Sequence, residues 1–248
     1  MKKLGLIGYP LGHSFSKKYY LEKFKNENIQ GIDYDLYPIS TIEEFPELYT
    51  TDSAFYGVNV TIPYKQAVIP YLDELSPEAA AIGAVNCIQI IQTPGEAPYL
   101  IGHNTDVIGF MNSLTPLLTE DHKLALILGN GGATKAVCYA LEKLGVAYQI
   151  VSRSKSEKNI TYEDLNTDLI RAHKLIINCS PVGTAPNIEQ CPDIPYDGIG
   201  NTHLLYDVIY NPTETLFLKK GRERGAAIKN GLEMLILQAE ENWKIWNR

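Results

Sequence analysis

Short apolar runs alternate with longer stretches whose apolar residues recur at helical spacing through the N-terminal part of the chain. KKLGLIGYP (2–10) reads as a strand and SKKYYLEKFKNENI (16–29) as an amphipathic helix. Further strands are expected at DYDLYPI (33–39) and AFYGVNVTIP (54–63). YKQAVIPYLDEL (64–75) predicts a helix interrupted at Pro70, AVNCIQIIQ (84–92) a fourth strand, and PYLIGHNTD (98–106) a short strand and a turn. Strands alternating with helices imply a mostly parallel sheet covered on both faces.

A second alternation starts near residue 107. VIGFMNSLTPLL is helical, and KLALILG (123–129) is a continuous apolar strand of the fully buried kind. GATKAVCYALEKLG (132–145) predicts a helix closing at Gly145, followed by strands at AYQIVS (147–152), KLIINCSP (174–181) and HLLYDVIYNP (203–212). Helices are expected at ETLFLKKGRERG (214–225) and GLEMLILQAEENWKIW (231–246). A domain boundary falls near 105, at the Asn-Thr-Asp turn. The last helix is apolar on more than one face and must be buried between elements; periodicity alone lets it belong to either domain.

Composition narrows the function classes. The chain has 248 residues, 45% hydrophobic and 21% charged, which is globular composition with room for one large or two ordinary domains. A net charge of −7 argues against broad nucleic-acid binding, which wants a basic face. No apolar run approaches the ~20 residues of a membrane span. The N-terminal run is strand-sized and leads to no small-residue cleavage site, so a signal peptide is not expected. Cys87, Cys138, Cys179 and Cys191 are far apart, without a zinc-like cysteine–histidine spacing. Reduced thiols, a cytoplasmic protein and no metal are the expectation.

ILGNGGATKA (127–136) follows a buried strand and opens a helix, the context a dinucleotide fingerprint requires. Gly129 permits the tight turn, Gly131 lets backbone approach a pyrophosphate, and the helix N-terminus faces the phosphates. The third fingerprint position is Thr134 rather than Gly or Ala. The next strand ends in Ser152, Arg153, Ser154 and Lys155, with no carboxylate before Glu157. A ribose 2′-phosphate would meet a guanidinium and hydroxyls there, which favours NADP over NAD; the plain alternative is a solvated basic loop.

The first half places polar residues at strand ends and in the loops after them. Ser14 and Ser16 can hold a carboxylate with a helix N-terminus, or Ser14 can simply cap that helix. Asn86 falls in a strand, where an unsatisfied amide is costly. Asp106 ends the HNTD turn, where a turn residue is the bland reading. Thr61 shares a strand face with Asn59 and Pro63. Lys65 follows Pro63 and, taken alone, reads as a solvated strand-end charge. His13 and His103 have no identifiable partner in sequence and read as structural or as acting through a neighbour.

GYPLGHSFS, VNVTIPYK, GAVN, GHNTDVIG, LGNGGATKA, NCSPVGT, YDVIYNPTET and NGLEMLILQA occur in that order, and together they resemble the shikimate dehydrogenase family over nearly the whole chain. The resemblance implies a two-domain α/β protein. Residues 1–105, completed by 229–248, would form the substrate domain, and 106–228 a Rossmann-like NADP-binding domain. It also implies reversible reduction of 3-dehydroshikimate to shikimate with NADPH, in aromatic amino-acid biosynthesis. Its partner would be that small molecule, with no nucleic acid or membrane, and the protein a monomer or homodimer.

Carried over position by position, Ser14 and Ser16 would hold the substrate carboxylate, and Thr61, Asn86, Asp106 and Gln238 the ring hydroxyls. Lys65 would be catalytic with Asp106 beside it, and Tyr210 would lie near the substrate. Gly129, Asn130, Gly131, Gly132 and Ala133 match the phosphate turn, and Ser152, Arg153 and Ser154 the adenosine-phosphate clamp. Asn178, Ser180, Val208 and Gly231 match segments near the nicotinamide. The chain departs from the family pattern at Lys17, Cys87, Ser180 and Thr184, and its stretch from 153 to 174 is short for a full strand–helix complement. The remaining alternatives are a paralogue that oxidises quinate or a related polyol acid with NAD, and a non-catalytic NADP-binding sensor.

Overall fold

The computed structural model describes residues 1–12 and 14–248, and it divides into two compact units: Met1–Thr105 with Ala239–Arg248, and Asp106–Gln238. His13 lies outside the described residues.

The first unit is built on a six-stranded sheet. Its elements are β1 (Lys2–Gly8), α1 (Phe15–Asn26), β2 (Ile32–Pro38), α2 (Phe45–Thr50), β3 (Phe55–Val60), β4 (Glu74–Leu75), α3 (Pro77–Ile82), β5 (Cys87–Ile91) and β6 (Tyr99–His103). The strand order is β2-β1-β3-β5-β6-β4. Only β5 runs against its neighbours, so the sheet is mostly parallel. Both faces are covered, because successive strand residues point to opposite sides. Leu4 and Leu6 pack with Tyr20, Phe24 and Tyr34 on one face, while Ile7, Val58 and Val60 pack with Phe45 and Val68 on the other. Trp246 closes the first cluster, donating its indole N–H to Ile88 O at 2.9 Å. It lies so close over Gly57 that a Cβ there would collide with the indole.

The second unit carries α4 (Asp106–Leu114), β7 (Leu124–Leu128), α5 (Gly132–Lys143), β8 (Ala147–Ser152), β9 (Asn159–Thr161), α6 (Thr167–Ala172), β10 (Leu175–Asn178), β11 (Leu204–Asp207), α7 (Leu216–Arg222) and β12 (Ala227–Lys229). Its sheet is parallel throughout, in the order β12-β11-β10-β7-β8-β9. β7 and β10, buried almost throughout, form its centre, as uninterrupted apolar runs should. The chain builds outward from β7 to β9, then restarts at β10 and builds the other way. That reversal leaves a crevice at the carboxyl ends of β7 and β10, where doubly wound sheets bind ligands.

The last helix, α8 (Leu232–Trp246), spans the division: residues through Gln238 group with the second unit and Ala239 onward with the first. The family resemblance implies that 229–248 as a block completes the first domain. Residues 229–238 stay with the second unit because β12 pairs with β11 and Gly231 N–H donates to Ile209 O at 3.0 Å. Gly109 of α4 faces Met234 O so closely that a Cβ would collide with it.

The helix expected over 64–75 does not form. Residues 65–68 are turns leading to a 3₁₀ turn at Ile69–Tyr71, with successive bonds from Ile69 N to Gln66 O, Tyr71 N to Val68 O and Leu72 N to Ile69 O. Pro70 has no N–H to donate, and the chain turns extended at Leu72, so no α ladder runs on through the segment.

Candidate active site

In the first unit the loops after β1 and β3 lie at the carboxyl ends of adjacent parallel strands. β3 stops at Val60, and Thr61 N–H still donates to Ile7 O at 3.0 Å. Thr61 is half-buried, packed over Gly8. Tyr64 turns inward and donates its hydroxyl to Ile39 O at 2.8 Å. Lys65 O accepts from Val85 N at 2.7 Å. The backbone of Lys65 is therefore held on both sides, and its half-buried side chain starts from a fixed point.

Ser14 is the N-cap of α1, accepting from Lys17 N at 3.4 Å, so the capping reading holds for its oxygen. Ser16 lies in the first turn of that helix, against the Tyr34 hydroxyl. Lys17 forms an ion pair with Asp35 at 2.6 Å.

Asn86 is 4% exposed and sits just before β5 rather than within it. Its amide meets the expected demand for partners. The Nδ2 group donates to Thr105 Oγ1 at 3.0 Å and Oδ1 accepts from Thr105 N at 2.8 Å. The Thr105 hydroxyl donates to Asn242 Oδ1 at 2.6 Å. Asn59, equally buried, bonds Tyr34 and Asn86 O. Sequence reasoning missed Thr105 and Asn242. The available signal was Asn242 itself, a polar residue on the stripe Met234, Gln238, Ala239, Asn242, Ile245 and Trp246 that the last helix buries. His103 is half-buried on β6, and burial pushes its pKa down, favouring the neutral imidazole.

In the second unit, Asp106 is the first residue of α4, where the helix dipole favours a carboxylate. It is a helix start rather than a turn residue. Gln238 is buried and donates to Leu235 O at 2.8 Å, and Tyr210 is 39% exposed.

A cleft of about 750 Å³ lies at the switch point of the second sheet. One wall is the turn after β7. Gly129 has φ +106°, and a Cβ there would come within 3.0 Å of Ser180 N, so the position demands glycine. Thr134, the departure from the fingerprint, is buried in the first turn of α5. Its hydroxyl donates to Gly129 O and accepts from Gly131 N, both at 3.0 Å. The hydroxyl thus braces the turn where the sequence reading saw only a mismatch. Gly132 and Ala133 open α5, where the first amides of a helix have no partner in its own ladder, while Gly129, Asn130 and Gly131 line the cleft.

The facing wall is the segment after β10. Asn178 is fully buried and accepts at Oδ1 from Ser180 N at 3.0 Å and Ser180 Oγ at 2.7 Å. Its Nδ2 donates to Asp207 Oδ1 at 3.1 Å. Asn178 therefore shapes the Cys179–Val182 rim, which lines the cleft. Val208 N donates to Asn178 O at 3.0 Å, and Gly231 packs on Val208, where a Cβ would collide with its carbonyl.

The outer end is the loop after β8. Arg153, Ser154 and Lys155 are exposed and border the cleft beside Tyr162. Burial raises the Tyr162 phenol, and the Arg153 charge pulls the other way. The Ser152 hydroxyl donates to Ser154 O at 2.6 Å, so its proton builds the loop and is not offered outward. Among the described residues lining the cleft, Asp193 is the one carboxylate. Glycine turn, helix amides and exposed cations fit a dinucleotide carrying an additional phosphate. Among the described residues, no group of three or more His, Cys, Asp or Glu side chains is placed to hold a metal ion.

A doubly wound parallel sheet with this cleft at its switch point defines a dinucleotide-binding α/β protein. A family model described as the shikimate dehydrogenase substrate-binding domain matches residues 6–88. The NADP(+) shikimate dehydrogenase of Carboxydothermus hydrogenoformans is 38% identical over 264 residues, covering 99% of this chain and 91% of that one. Shikimate 5-dehydrogenase from Thermus thermophilus, solved with NADP(H) and shikimate, has a TM-score of 0.84 at 29% identity, covering 99% of this chain and 93% of that one. Quinate dehydrogenase from Corynebacterium glutamicum, solved with NAD, has a TM-score of 0.87 at 27% identity with the same two coverages. The chain belongs to the shikimate dehydrogenase family.

Proposed function

We infer that this protein is an NADP-dependent shikimate dehydrogenase, catalysing the reversible reduction of 3-dehydroshikimate to shikimate in the shikimate pathway. The observation that carries the cofactor choice is the outer end of the cleft, where Arg153 and Lys155 stand in place of the carboxylate that would bond a free ribose 2′-hydroxyl. Full-length relatives named NADP(+) shikimate dehydrogenases support the same reading.

A nicotinamide dinucleotide, when bound, would supply the hydride chemistry for the ketone. Lys65 acts on the oxygen where negative charge develops, donating a proton in reduction and accepting one in oxidation. Ser14 and Ser16, at the start of α1, receive the substrate carboxylate. Thr61, Asn86, Asp106 and Gln238 take the ring hydroxyls, with Tyr210 near the substrate. The amides of Gly132 and Ala133 receive the pyrophosphate, and Arg153 the 2′-phosphate. Ser180, Val208 and Gly231 would hold the nicotinamide end.

The test is nicotinamide absorbance with shikimate or quinate, each offered with NADP⁺ or NAD⁺. Turnover of shikimate with NADP⁺ is expected. Preferential quinate or NAD⁺ turnover would instead identify the quinate-oxidising paralogue, and no turnover a non-catalytic binder. Arg153→Ala should raise the KM for NADP⁺ about ten- to a hundredfold, the loss expected for a charge-assisted hydrogen bond, and leave that for NAD⁺ nearly unchanged. Equal losses for both cofactors would remove Arg153 from the discrimination.

A further inference from the structure

The loop between β8 and β9 has no helix to support it. Six exposed residues, 153–158, leave the sheet and return directly to a three-residue edge strand, in register Ile150 with Asn159 and Ser152 with Thr161. The backbone closes the loop through two weak bonds of 3.4 Å between Ser156 and Asn159. A loop so short and exposed needs a further restraint to keep one shape.

That restraint is the side chain of Asn159, only 6% exposed. Its Nδ2 donates to Ser152 Oγ at 2.6 Å and to Ser154 O at 2.5 Å. Its Oδ1 accepts from the Ser156 hydroxyl, which in turn accepts from Lys158 N at 3.2 Å. The two donor contacts fall on the residues flanking Arg153. Asn159 borders the cleft, but its amide atoms are all engaged within the loop, so its polar contribution is to the shape of the residues around it.

We propose that Asn159 is the positioning residue for discrimination between the phosphorylated and unphosphorylated dinucleotide, holding the Ser152–Arg153–Ser154 turn in the form that receives a ribose 2′-phosphate. The proposal rests on the NADP reading above. A guanidinium gains most from a phosphate when its backbone is already placed, because the cost of ordering the loop is not drawn from binding. The glycine turn after β7 is braced separately by Thr134, so loosening the β8–β9 loop leaves the pyrophosphate site intact.

Calorimetric titration with adenosine 2′,5′-bisphosphate and with 5′-AMP tests this without turnover. Asn159→Ala should weaken the bisphosphate about tenfold, the effect of losing buried hydrogen bonds, and change 5′-AMP by less than about twofold. Asn159→Ser, a smaller perturbation, should move the same ratio in the same direction, and is the variant to read should the alanine protein not fold. A ratio equal to the wild type in the folded variant, or equal weakening of both ligands, overturns the proposal. A wild-type protein with no preference for the bisphosphate overturns the NADP reading itself, a failure distinguishable from the first.

Discussion

Lys65→Met is expected to lower kcat for shikimate oxidation by roughly 10²–10⁴-fold, the usual size of an acid–base contribution, with KM changing by less than about threefold. Methionine keeps most of the side chain's length and apolar stem but cannot carry charge or a proton. Three anchors of this segment survive the substitution, since they belong to Tyr64 and to the backbone: the Tyr64 hydroxyl on Ile39 O, the Tyr64 amide on Thr61 O at 2.9 Å, and Val85 N on Lys65 O. Loss of rate with these anchors in place, and with the variant's thermal unfolding unchanged, reads out the ammonium group. Charge on the substrate oxygen grows only as the reaction proceeds, so a group that meets it belongs to the transition state more than to binding. Steady-state kinetics over a range of shikimate concentrations check this; a variant altered only in KM would reassign Lys65 to substrate binding.

What could be read in advance followed the size of the signal each element leaves. β7, a five-residue apolar run, stands out along the chain, and the glycine turn after it marks a dinucleotide-fingerprint context; the switch point itself emerges only with the strand order. β9 and β12 were not legible, because three residues on a sheet edge carry no periodicity. The short helices α2, α3 and α6 escaped for the same reason, each only six residues long. The expected helix after Lys65 failed where Pro70 outweighed the apolar spacing around it. Within the candidate site, Gly129 and Arg153 stand out from the residues alone, whereas Lys65 and Asp106 read as a solvated charge and a turn residue until the family resemblance singles them out. Residues that act by holding others do not stand out. Thr134 looked like a defect in a motif, and Asn159 and Asn242 like ordinary polar residues, because a hydrogen bond to a distant backbone leaves no pattern along the chain.

Asp207 belongs to that hidden class, and it yields a prediction about pH. Its carboxylate is fully buried at the end of β11 and takes Thr215 Oγ1 at 2.6 Å, Ile209 N at 3.0 Å and Asn178 Nδ2. Burial pushes its pKa up to about 6, against the pull of these three donors. A raised carboxyl pKa means that the folded state holds a proton which the unfolded chain has released. The stabilising contribution is therefore complete below the unfolded value of 3.8 and is lost as the pH rises through about 6.

Asp207→Asn removes the ionisation while keeping an oxygen for Ile209 and Asn178, and its new amide group can donate to the Thr215 hydroxyl. Relative to the wild type, the variant should gain about 3 kcal/mol of stability between about pH 4 and pH 7, measured by urea unfolding of both proteins across that range. Taking the difference cancels groups that titrate alike in the two. A difference that stays flat with pH would show that Asp207 is ionised in the folded protein throughout, its donors outweighing its burial. Asp207→Ala should behave otherwise, because it strands the Ile209 and Asn178 donors at about 1–3 kcal/mol each and frees the segment that Asn178 holds. That segment includes Ser180 at the rim of the cleft, so the alanine variant should lose NADP⁺ affinity that the asparagine variant retains.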